Sequence, residues 1–294
     1  MGYVSLRVRR PARARYLDRA MPSYTTERIL EVRHWNDHLF SFSTTRSPGF
    51  RFESGQFVML AIDPGEGRLI SRAYSIASAN YQERLEFYSI KVPGGAFTSR
   101  LKCAQPGDSL MISTKPTGTL VTRDLKPGRR LFLLATGTGV APFLSLVRDP
   151  ETYEHFEQIF LVRGAAQISD LAYARSVLDA LEGDPYLGDM ARTQLRDYPA
   201  VTRENFRHRG RLSTLLESDE LFNALEVTPL DSAEDRVMIC GNIDMVADLG
   251  RILDAKGLKG SPGIGIPGDY VVERAFVEST ATSKTPNRQT AKIA

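Results

Sequence analysis

The chain has 294 residues, of which 42% are hydrophobic and 25% are charged, and its net charge is +3. These values are typical of a globular protein, and the length suits two domains that each bury a core. The small net charge argues against a nucleic-acid partner, and no apolar run approaches the ~18 residues that a membrane span needs. Cys103 and Cys240 are too few and too distant for a disulfide framework or a metal site. We therefore expect a reducing, cytoplasmic location and no metal.

Both ends of the chain differ from the part between them. Residues 1–20 form a basic extension that contains six arginines and one acidic residue, Asp18. Such a segment could be a targeting leader, or a disordered stretch before a true start at Met21. Residues 279–294 are polar and lack periodicity, which predicts a disordered tail.

From residue 21 to residue 125 the sequence predicts an antiparallel β-barrel. Short stretches rich in β-branched and aromatic residues alternate with Pro-Gly turns, and most of them have no helix between them. The predicted strands are HLFSFSTT, GQFVMLAI, RAYSIAS, RLEFYSIKV and DSLMIST, and a short helix is predicted within GGAFTSRLKCA.

The predicted strand RAYSIAS has an unusual combination of side chains for one face of a sheet. Ideal alternation places Arg72, Tyr74 and Ile76 on one face and Ser75 on the other. If Tyr74 and Ser75 contact the same ligand, we expect the strand to bend at this point, or the edge of the ligand to reach past it.

From residue 126 to residue 278 the period changes to that of an α/β domain with a parallel sheet. The strands RRLFLLAT, EQIFLVRG and RVMICG are separated by segments of helical spacing, among them VAPFLSLVRD and MVADLGRILDAKG. Ligands of such sheets bind at the carboxyl ends of the strands.

Two strand ends in this half carry small residues. The loop after RRLFLLAT contains Gly137 and Gly139 and is followed by Pro142, an arrangement that suits a pyrophosphate as well as an ordinary tight turn. Cys240 and Gly241 end the strand RVMICG. No histidine near Cys240 in sequence would activate a nucleophile, so we interpret it as a small residue beside a flat ring.

Charged residues in this half allow two interpretations. The segment 201–211 is either a solvated basic loop or the partner of a ribose 2′-phosphate, which would indicate NADP(H). Its arginines are Arg203, Arg207, Arg209 and Arg211.

The histidines of the chain form no motif and are expected to be surface or packing residues: His34, His38, His155 and His208.

The motifs RAYS, GTGVAPF, MICG and YVVERAFVE occur in one order, and with them the chain resembles the bacterial ferredoxin/flavodoxin–NADP⁺ reductases from about Met21 to Glu278. The resemblance implies an FAD-binding antiparallel barrel followed by an NADP-binding α/β domain. It also implies that Arg72 contacts the flavin pyrophosphate, that Tyr74 stacks on the isoalloxazine ring, and that Ser75 lies near flavin N5.

The resemblance assigns further residues to each cofactor. For FAD these are Ala73, Tyr88, Ile90, Val92, Gly95, Phe97, Thr98 and Ser99. For NADP(H) they are Thr136, Gly137, Thr138, Gly139, Pro142, Arg203, Arg211, Cys240 and Gly241. The segment AFVE, residues 275–278, is expected to pack on the far face of the flavin, where Ala275 and Phe276 would control stacking of the nicotinamide.

Two departures from the family pattern stand out. Many members carry an arginine for the 2′-phosphate where this chain has Ala166, so Arg163 could substitute for it, or discrimination against NADH could be weaker. In addition, residues 279–294 extend beyond the usual end of the family and are either an inert tail or an influence on access to the flavin.

The resemblance implies a reductase that moves hydride between NADPH and FAD, and single electrons between FAD and ferredoxin or flavodoxin. Ser75, Tyr74, Ala275, Phe276 and Cys240 would be its catalytic residues, and we expect a monomer. Two alternatives stay open at this point: an NAD(P)H-dependent flavin reductase or oxygenase reductase component, and a non-catalytic flavin or nucleotide sensor.

Overall fold

A computed structural model of the chain describes residues 23–65 and 69–274. It contains a six-stranded antiparallel sheet followed by a five-stranded parallel sheet, which confirms the predicted fold class. The predicted domain limit at residues 125 and 126 falls between the two sheets, and the limits themselves stay a prediction. Within the described residues, no helix is both long and apolar enough to cross a membrane.

The antiparallel sheet closes into a barrel. Its spatial strand order is β4-β3-β6-β1-β2-β5, and the outer strands meet where Ile76 pairs with Phe87. A one-turn helix, α1, Thr98–Leu101, follows the fifth strand in sequence. The strands are β1, Tyr24–His34; β2, Leu39–Thr45; β3, Phe57–Ile62; β4, Ile70–Ser75; β5, Arg84–Ile90; and β6, Ser109–Ser113.

Strand β4 changes its partner at the position where we expected a bend. Up to Ser75 it pairs with β3, and the last pair is Phe57 with Ser75. The next residue, Ile76, pairs with Phe87 on β5 instead, and its amide donates to the Gln56 carbonyl at 3.0 Å. The chain therefore turns a barrel corner directly after Tyr74 and Ser75.

The parallel sheet has helices on both faces, because its strands are apolar on both sides. Helices α2 to α5 pack on one face and α6 to α8 on the other. The strands, in the order β11-β10-β7-β8-β9, are β7, Arg130–Thr136; β8, Gln158–Ala165; β9, Leu195–Val201; β10, Asp235–Gly241; and β11, Tyr270–Arg274. The helices are α2, Ala141–Leu146; α3, Pro150–His155; α4, Ala172–Glu182; α5, Gly188–Gln194; α6, Leu212–Glu217; α7, Asp219–Leu225; and α8, Ile243–Ala255.

One apolar core joins the two sheets. It contains Leu39, Ala77 and Tyr88 from the barrel together with residues of the parallel sheet and of α2 to α5. Tyr88 stacks on Tyr173 of α4 with ring centroids 4.3 Å apart. A shared core of this kind fixes the orientation of the two sheets, since separating them would expose apolar surface.

A buried ion pair links the first residues of β7 and β10. The Arg130 guanidinium donates two hydrogen bonds of 2.5 Å to the Asp235 carboxylate, and Asp235 has no exposed surface. Arg130 also donates to the carbonyls of Thr228 and Pro229. Removing the carboxylate would leave a buried cation without its counter-charge, which is costly in an apolar surrounding.

We therefore expect Asp235→Ala to lower the free energy of unfolding by about 3–5 kcal/mol in urea titrations. The matched control is Asp189→Ala, which breaks the exposed pair between Asp189 and Arg192 and should cost less than about 1 kcal/mol. Equal losses in the two variants would contradict a special role for the buried pair.

Candidate functional site

Two cavities meet where the barrel contacts the parallel sheet. The inner cavity, about 70 Å³, lies between β4 and β5 of the barrel and the loop after β7, beside the ends of β10 and β11. The long cleft, about 630 Å³, runs along the carboxyl edge of the parallel sheet. Ile90 and Thr138 line both. A ligand in the inner cavity would therefore lie next to a ligand in the long cleft.

The barrel wall of the inner cavity is formed by consecutive residues of β4. Arg72, Ala73, Tyr74 and Ser75 all line it, and each is partly exposed. The Tyr74 hydroxyl shares a hydrogen bond of 2.8 Å with the Ser89 hydroxyl, which fixes the tilt of the tyrosine ring. Strand β4 thus presents a cation, a ring and a hydroxyl to one space, next to the corner at Ser75.

The inner cavity brings together most of the residues assigned to it by sequence. Those that line it are Arg72, Ala73, Tyr74, Ser75, Tyr88, Ile90, Val92, Thr98, Thr138, Gly139 and Cys240. Gly95, Phe97, Ser99, Pro142 and Gly241 do not line it. Phe97 is fully buried, and its ring centroid lies 5.7 Å from that of Tyr74. Pro142 is buried in the first turn of α2. Both residues therefore pack beneath the surface of the cavity.

The loop after β7 approaches the end of β10 so closely that a Cβ at either glycine of the contact would meet another atom. A Cβ atom at Gly139 would collide with the backbone carbonyl of Cys240, and one at Gly241 would collide with Thr136 and Met245. Gly137 has a positive φ of 55°. The Thr136 hydroxyl is buried, and it has no hydrogen-bond partner among the described residues. Because Thr136 also lines the long cleft, a polar ligand there could satisfy this hydroxyl.

Cys240 lines the inner cavity as a neutral thiol. Burial raises the pKa of the Cys240 thiol well above its ordinary value, and the charge of Glu273 raises it further. Since the thiolate is the nucleophilic form, this environment disfavours covalent chemistry. The geometry is compatible with our interpretation of Cys240 as a small residue beside a flat ring.

Glu273 is a residue of the inner cavity that we did not assign from the sequence. It lies on β11, and its carboxylate accepts a hydrogen bond of 3.1 Å from the Thr119 amide of the barrel. Burial raises the pKa of Glu273 to about 7, although the Thr119 contacts lower it. The available signal was a single acid in YVVER, a strand that is otherwise apolar up to its last residue.

The long cleft contains the basic loop of residues 202–211. Arg203 and Arg211 line it, together with Thr136, Gly137 and Thr138. The Arg203 amide donates to the Ala166 carbonyl at 3.0 Å, which ties the loop to the end of β8. At the other end of the loop, His208 stacks on Tyr198 with ring centroids 3.9 Å apart.

Arg163 is a correction to the sequence analysis. It is 5% exposed and does not line the cleft. Its guanidinium donates hydrogen bonds of 2.6 and 2.7 Å to the Asp197 carboxylate on β9 and a third to the Leu171 carbonyl. Because Arg163 is buried and its guanidinium is held by Asp197, it does not reach the cleft to take the place of an arginine at position 166. Ala166 itself lines the cleft.

His38 is partly exposed, as expected of a surface residue, and it also has a partner in the other domain. It lines the long cleft from the barrel side, and its Nε2 atom lies 2.8 Å from a carboxylate oxygen of Asp170. Further polar residues line the cleft without having been assigned from the sequence: Asp170, Thr202, Ser213, Asn242, Asp244 and Asp248.

Two assignments fall outside the described residues. Ala275 and Phe276, with the rest of the segment 275–278, lie beyond the last described residue, and so does the tail 279–294. The basic extension 1–20 precedes the first described residue. These assignments stay predictions.

Comparison with known families matches each half of the chain separately. The oxidoreductase FAD-binding domain matches residues 30–121, and the oxidoreductase NAD-binding domain matches residues 133–250. The inner cavity lies between these two matched regions, and the Gly137–Gly139 loop and the basic loop lie within the second.

Known proteins resemble the chain over most of its length. It is 54% identical over 258 residues to a ferredoxin–NADP reductase of Pseudomonas aeruginosa, covering 88% of this chain and 100% of that protein. It is 44% identical over 249 residues to a flavodoxin/ferredoxin–NADP reductase of Rhodobacter capsulatus, covering 85% and 92%. A crystal structure of a ferredoxin NADP⁺ reductase from Neisseria gonorrhoeae with bound FAD and NADP superposes with a TM-score of 0.78 at 31% identity, covering 86% and 99%.

The crowding at Gly139 gives a stability test of the loop. We expect Gly139→Ala to lower the free energy of unfolding by about 1–3 kcal/mol, because the new methyl group meets a backbone carbonyl that side-chain rotation cannot move. Urea titration followed by circular dichroism measures this loss. The control is Gly49→Ala, where a Cβ meets nothing within 4 Å. A Gly139→Ala protein as stable as that control would contradict the close approach.

Proposed function

Because this chain belongs to the ferredoxin/flavodoxin–NADP reductase family, an oxidoreductase family that uses FAD and NADP(H), we propose that its inner cavity holds the flavin and its long cleft holds NADP(H). The observation that carries this assignment is the shared lining by Ile90 and Thr138. Two cofactors that exchange a hydride must be in contact, and the two cavities meet at these residues.

The residues of the inner cavity fit FAD by their chemistry. Arg72 brings a guanidinium suited to phosphates, Tyr74 a ring suited to stacking on a flat heterocycle, and Ser75 and Thr98 hydroxyl groups. The hydrogen bond between Tyr74 and Ser89 holds the tyrosine ring in place before any ligand arrives. Pre-ordering of this kind lowers the entropy cost of binding.

The long cleft fits a phosphorylated dinucleotide. The Thr136 hydroxyl, which has no partner among the described residues, and the glycine loop line the cleft where the backbone allows close approach. Arg203 and Arg211 line the same cleft, and two guanidinium groups suit a 2′-phosphate. With Arg163 held by Asp197, these two arginines are the guanidinium groups that the described part of the cleft offers.

The residues of the inner cavity would hold FAD, which would supply the redox chemistry of hydride acceptance and single-electron release. The chain's own residues position and shield the reaction. Tyr74 and Ser75 orient the ring from the barrel side, and the neutral Cys240 thiol gives it a small, apolar neighbour. Glu273 holds a proton on its carboxyl group below about pH 7 and adds a negative charge to the cavity above it.

We extend the proposal to the partner, a ferredoxin or flavodoxin that docks by complementary charge. The relatives named as ferredoxin–NADP or flavodoxin/ferredoxin–NADP reductases support this choice. The purified protein should be yellow, should oxidise NADPH with ferricyanide, and should reduce cytochrome c only when ferredoxin or flavodoxin is added. A flavin spectrum that NADPH does not bleach would contradict the reductase proposal and favour a non-catalytic sensor.

The arginine pair gives the sharpest test of cofactor choice. We expect Arg203→Ala combined with Arg211→Ala to raise KM for NADPH by about 100-fold, since each guanidinium–phosphate contact contributes roughly 1.5 kcal/mol or more. KM for NADH should change less than about threefold. Steady-state ferricyanide reduction with each nucleotide measures both values.

A matched control for this test lies in the same loop. Arg207→Ala combined with Arg209→Ala removes the same charge from two exposed residues that do not line the cleft. We expect only a small rise in KM for NADPH from the lost long-range attraction. Equal effects of the two double variants would contradict the 2′-phosphate assignment.

The raised pKa of Glu273 gives a test by pH. Above about pH 7 its carboxylate opposes the negative charge that a hydride brings, so kcat with NADPH and ferricyanide should fall as the pH rises through 7. Glu273→Gln keeps the shape of the neutral side chain and should give a flat profile at the low-pH value. A profile of the variant that still falls near pH 7 would assign the ionisation to another group.

A further inference from the structure

The turn between β1 and β2 is built around the side chain of Asn36. Its Oδ1 atom accepts hydrogen bonds from the amides of His38, at 3.0 Å, and Leu39, at 2.8 Å. Its backbone carbonyl accepts from the Lys91 ammonium at 2.9 Å. A side chain that caps its own turn through one oxygen still has its amide nitrogen available for another contact.

That nitrogen crosses to the other domain. Asn36 Nδ2 donates to Asp170 Oδ1 at 2.9 Å and lies 3.4 Å from the Ser169 hydroxyl. The Asp170 side chain is 9% exposed, and its second oxygen accepts from the Gln167 amide at the start of the turn that leads into α4. The bond between Asn36 and Asp170 therefore runs from a donor on the barrel to an acceptor on the α/β domain, and His38 Nε2 lies 2.8 Å from the same Asp170 oxygen.

This contact joins the two domains beside the long cleft. The barrel lines the cleft with His38, Leu39 and Ile90, and the first two are the residues whose amides Asn36 holds. Asp170 lines the cleft from the opposite side. The bond between Asn36 and Asp170 therefore fixes the distance between the two walls close to Ile90, where the cleft opens into the inner cavity.

We propose that Asn36 is a positioning residue, whose bond to Asp170 sets the register of the two domains and so the approach of the nicotinamide to the flavin. This inference rests on the proposed function for its kinetic part. The apolar core around Tyr88 and Tyr173 keeps the domains together without the bond, so its loss should alter geometry and leave the fold intact. The arginines that bind the far end of the nucleotide are on a separate loop and should be unaffected.

An inverted pair provides the test. Asn36→Asp keeps an oxygen for the turn but points a carboxylate at Asp170, which replaces a hydrogen bond by a repulsion. The double variant Asn36→Asp with Asp170→Asn has the net charge of the wild type and can form the bond with donor and acceptor exchanged, and Asp170→Asn alone measures the loss of the His38 contact to Asp170. Asn223→Asp, on the exposed surface of α7, controls for the added charge.

Two readouts on the FAD-loaded protein separate positioning from stability. The first is kcat with NADPH and ferricyanide, compared with the dissociation constant of 2′-AMP, which probes the arginine end alone. The second is the distribution of distances between nitroxide labels, by pulsed electron resonance, at Leu30→Cys on the barrel and Arg175→Cys on α4. Cys103 is exposed and is replaced by serine, whereas the buried Cys240 stays unlabelled.

We expect Asn36→Asp to lower kcat about tenfold and to broaden the distance distribution, with the 2′-AMP constant unchanged within about twofold. The double variant should recover both kcat and the narrow distribution. A wild-type distribution in Asn36→Asp, or a double variant no better than the product of the single ones, overturns the inference. If the wild type fails to oxidise NADPH, the proposed function falls, while the label distances still decide whether the bond sets the domain register.

Discussion

The stack of Tyr88 on Tyr173 is the contact on which the arrangement of both cavities depends. It lies in a single apolar core that contains residues of the barrel and of the parallel sheet. Ile90 follows Tyr88 on the same face of β5, and it lines both cavities opposite Thr138. Anchoring one residue of the strand therefore fixes the wall that the flavin side and the nucleotide side share. The apolar core limits the orientation of the two domains to a narrow range. Polar contacts between the domains, such as the hydrogen bond from Asn36 to Asp170, adjust that orientation within this range.

Local patterns in the sequence were sufficient for the fold class and for much of the site. The alternation in the first half and the helical spacing in the second predicted the two sheets. Parallel strands end at one edge, so the glycines after β7 and the residues at the end of β10 were expected to meet, and Gly139 does lie against Cys240. The strand RAYSIAS was expected to bend if its tyrosine and serine shared a ligand, and the change of partner follows directly after Ser75.

The misplaced residues depend on partners that are distant in sequence. Arg163 was one of two ways to account for Ala166, as a substitute for the missing arginine, but Asp197 on the neighbouring strand holds it. His38 was expected to be a surface or packing residue because no motif contains it, and its partner Asp170 belongs to the other domain. The pKa of Glu273 is raised by its burial where β11 meets the barrel, and the hydrogen bond from Thr119 lowers it only in part. No periodicity encodes these pairings, since each arises from the packing of one element on another.

The loop that carries Arg203 and Arg211 is joined to its domain by backbone hydrogen bonds to Ala165 and Ala166 and by the stack of His208 on Tyr198. None of these anchors lies in the apolar core that joins the barrel to the sheet. If preference between the two nicotinamide dinucleotides resides in this loop, it is a modular trait. Evolution or design could then exchange the loop for one of another charge and retain the electron path, since the two properties are encoded in separate stretches of the chain.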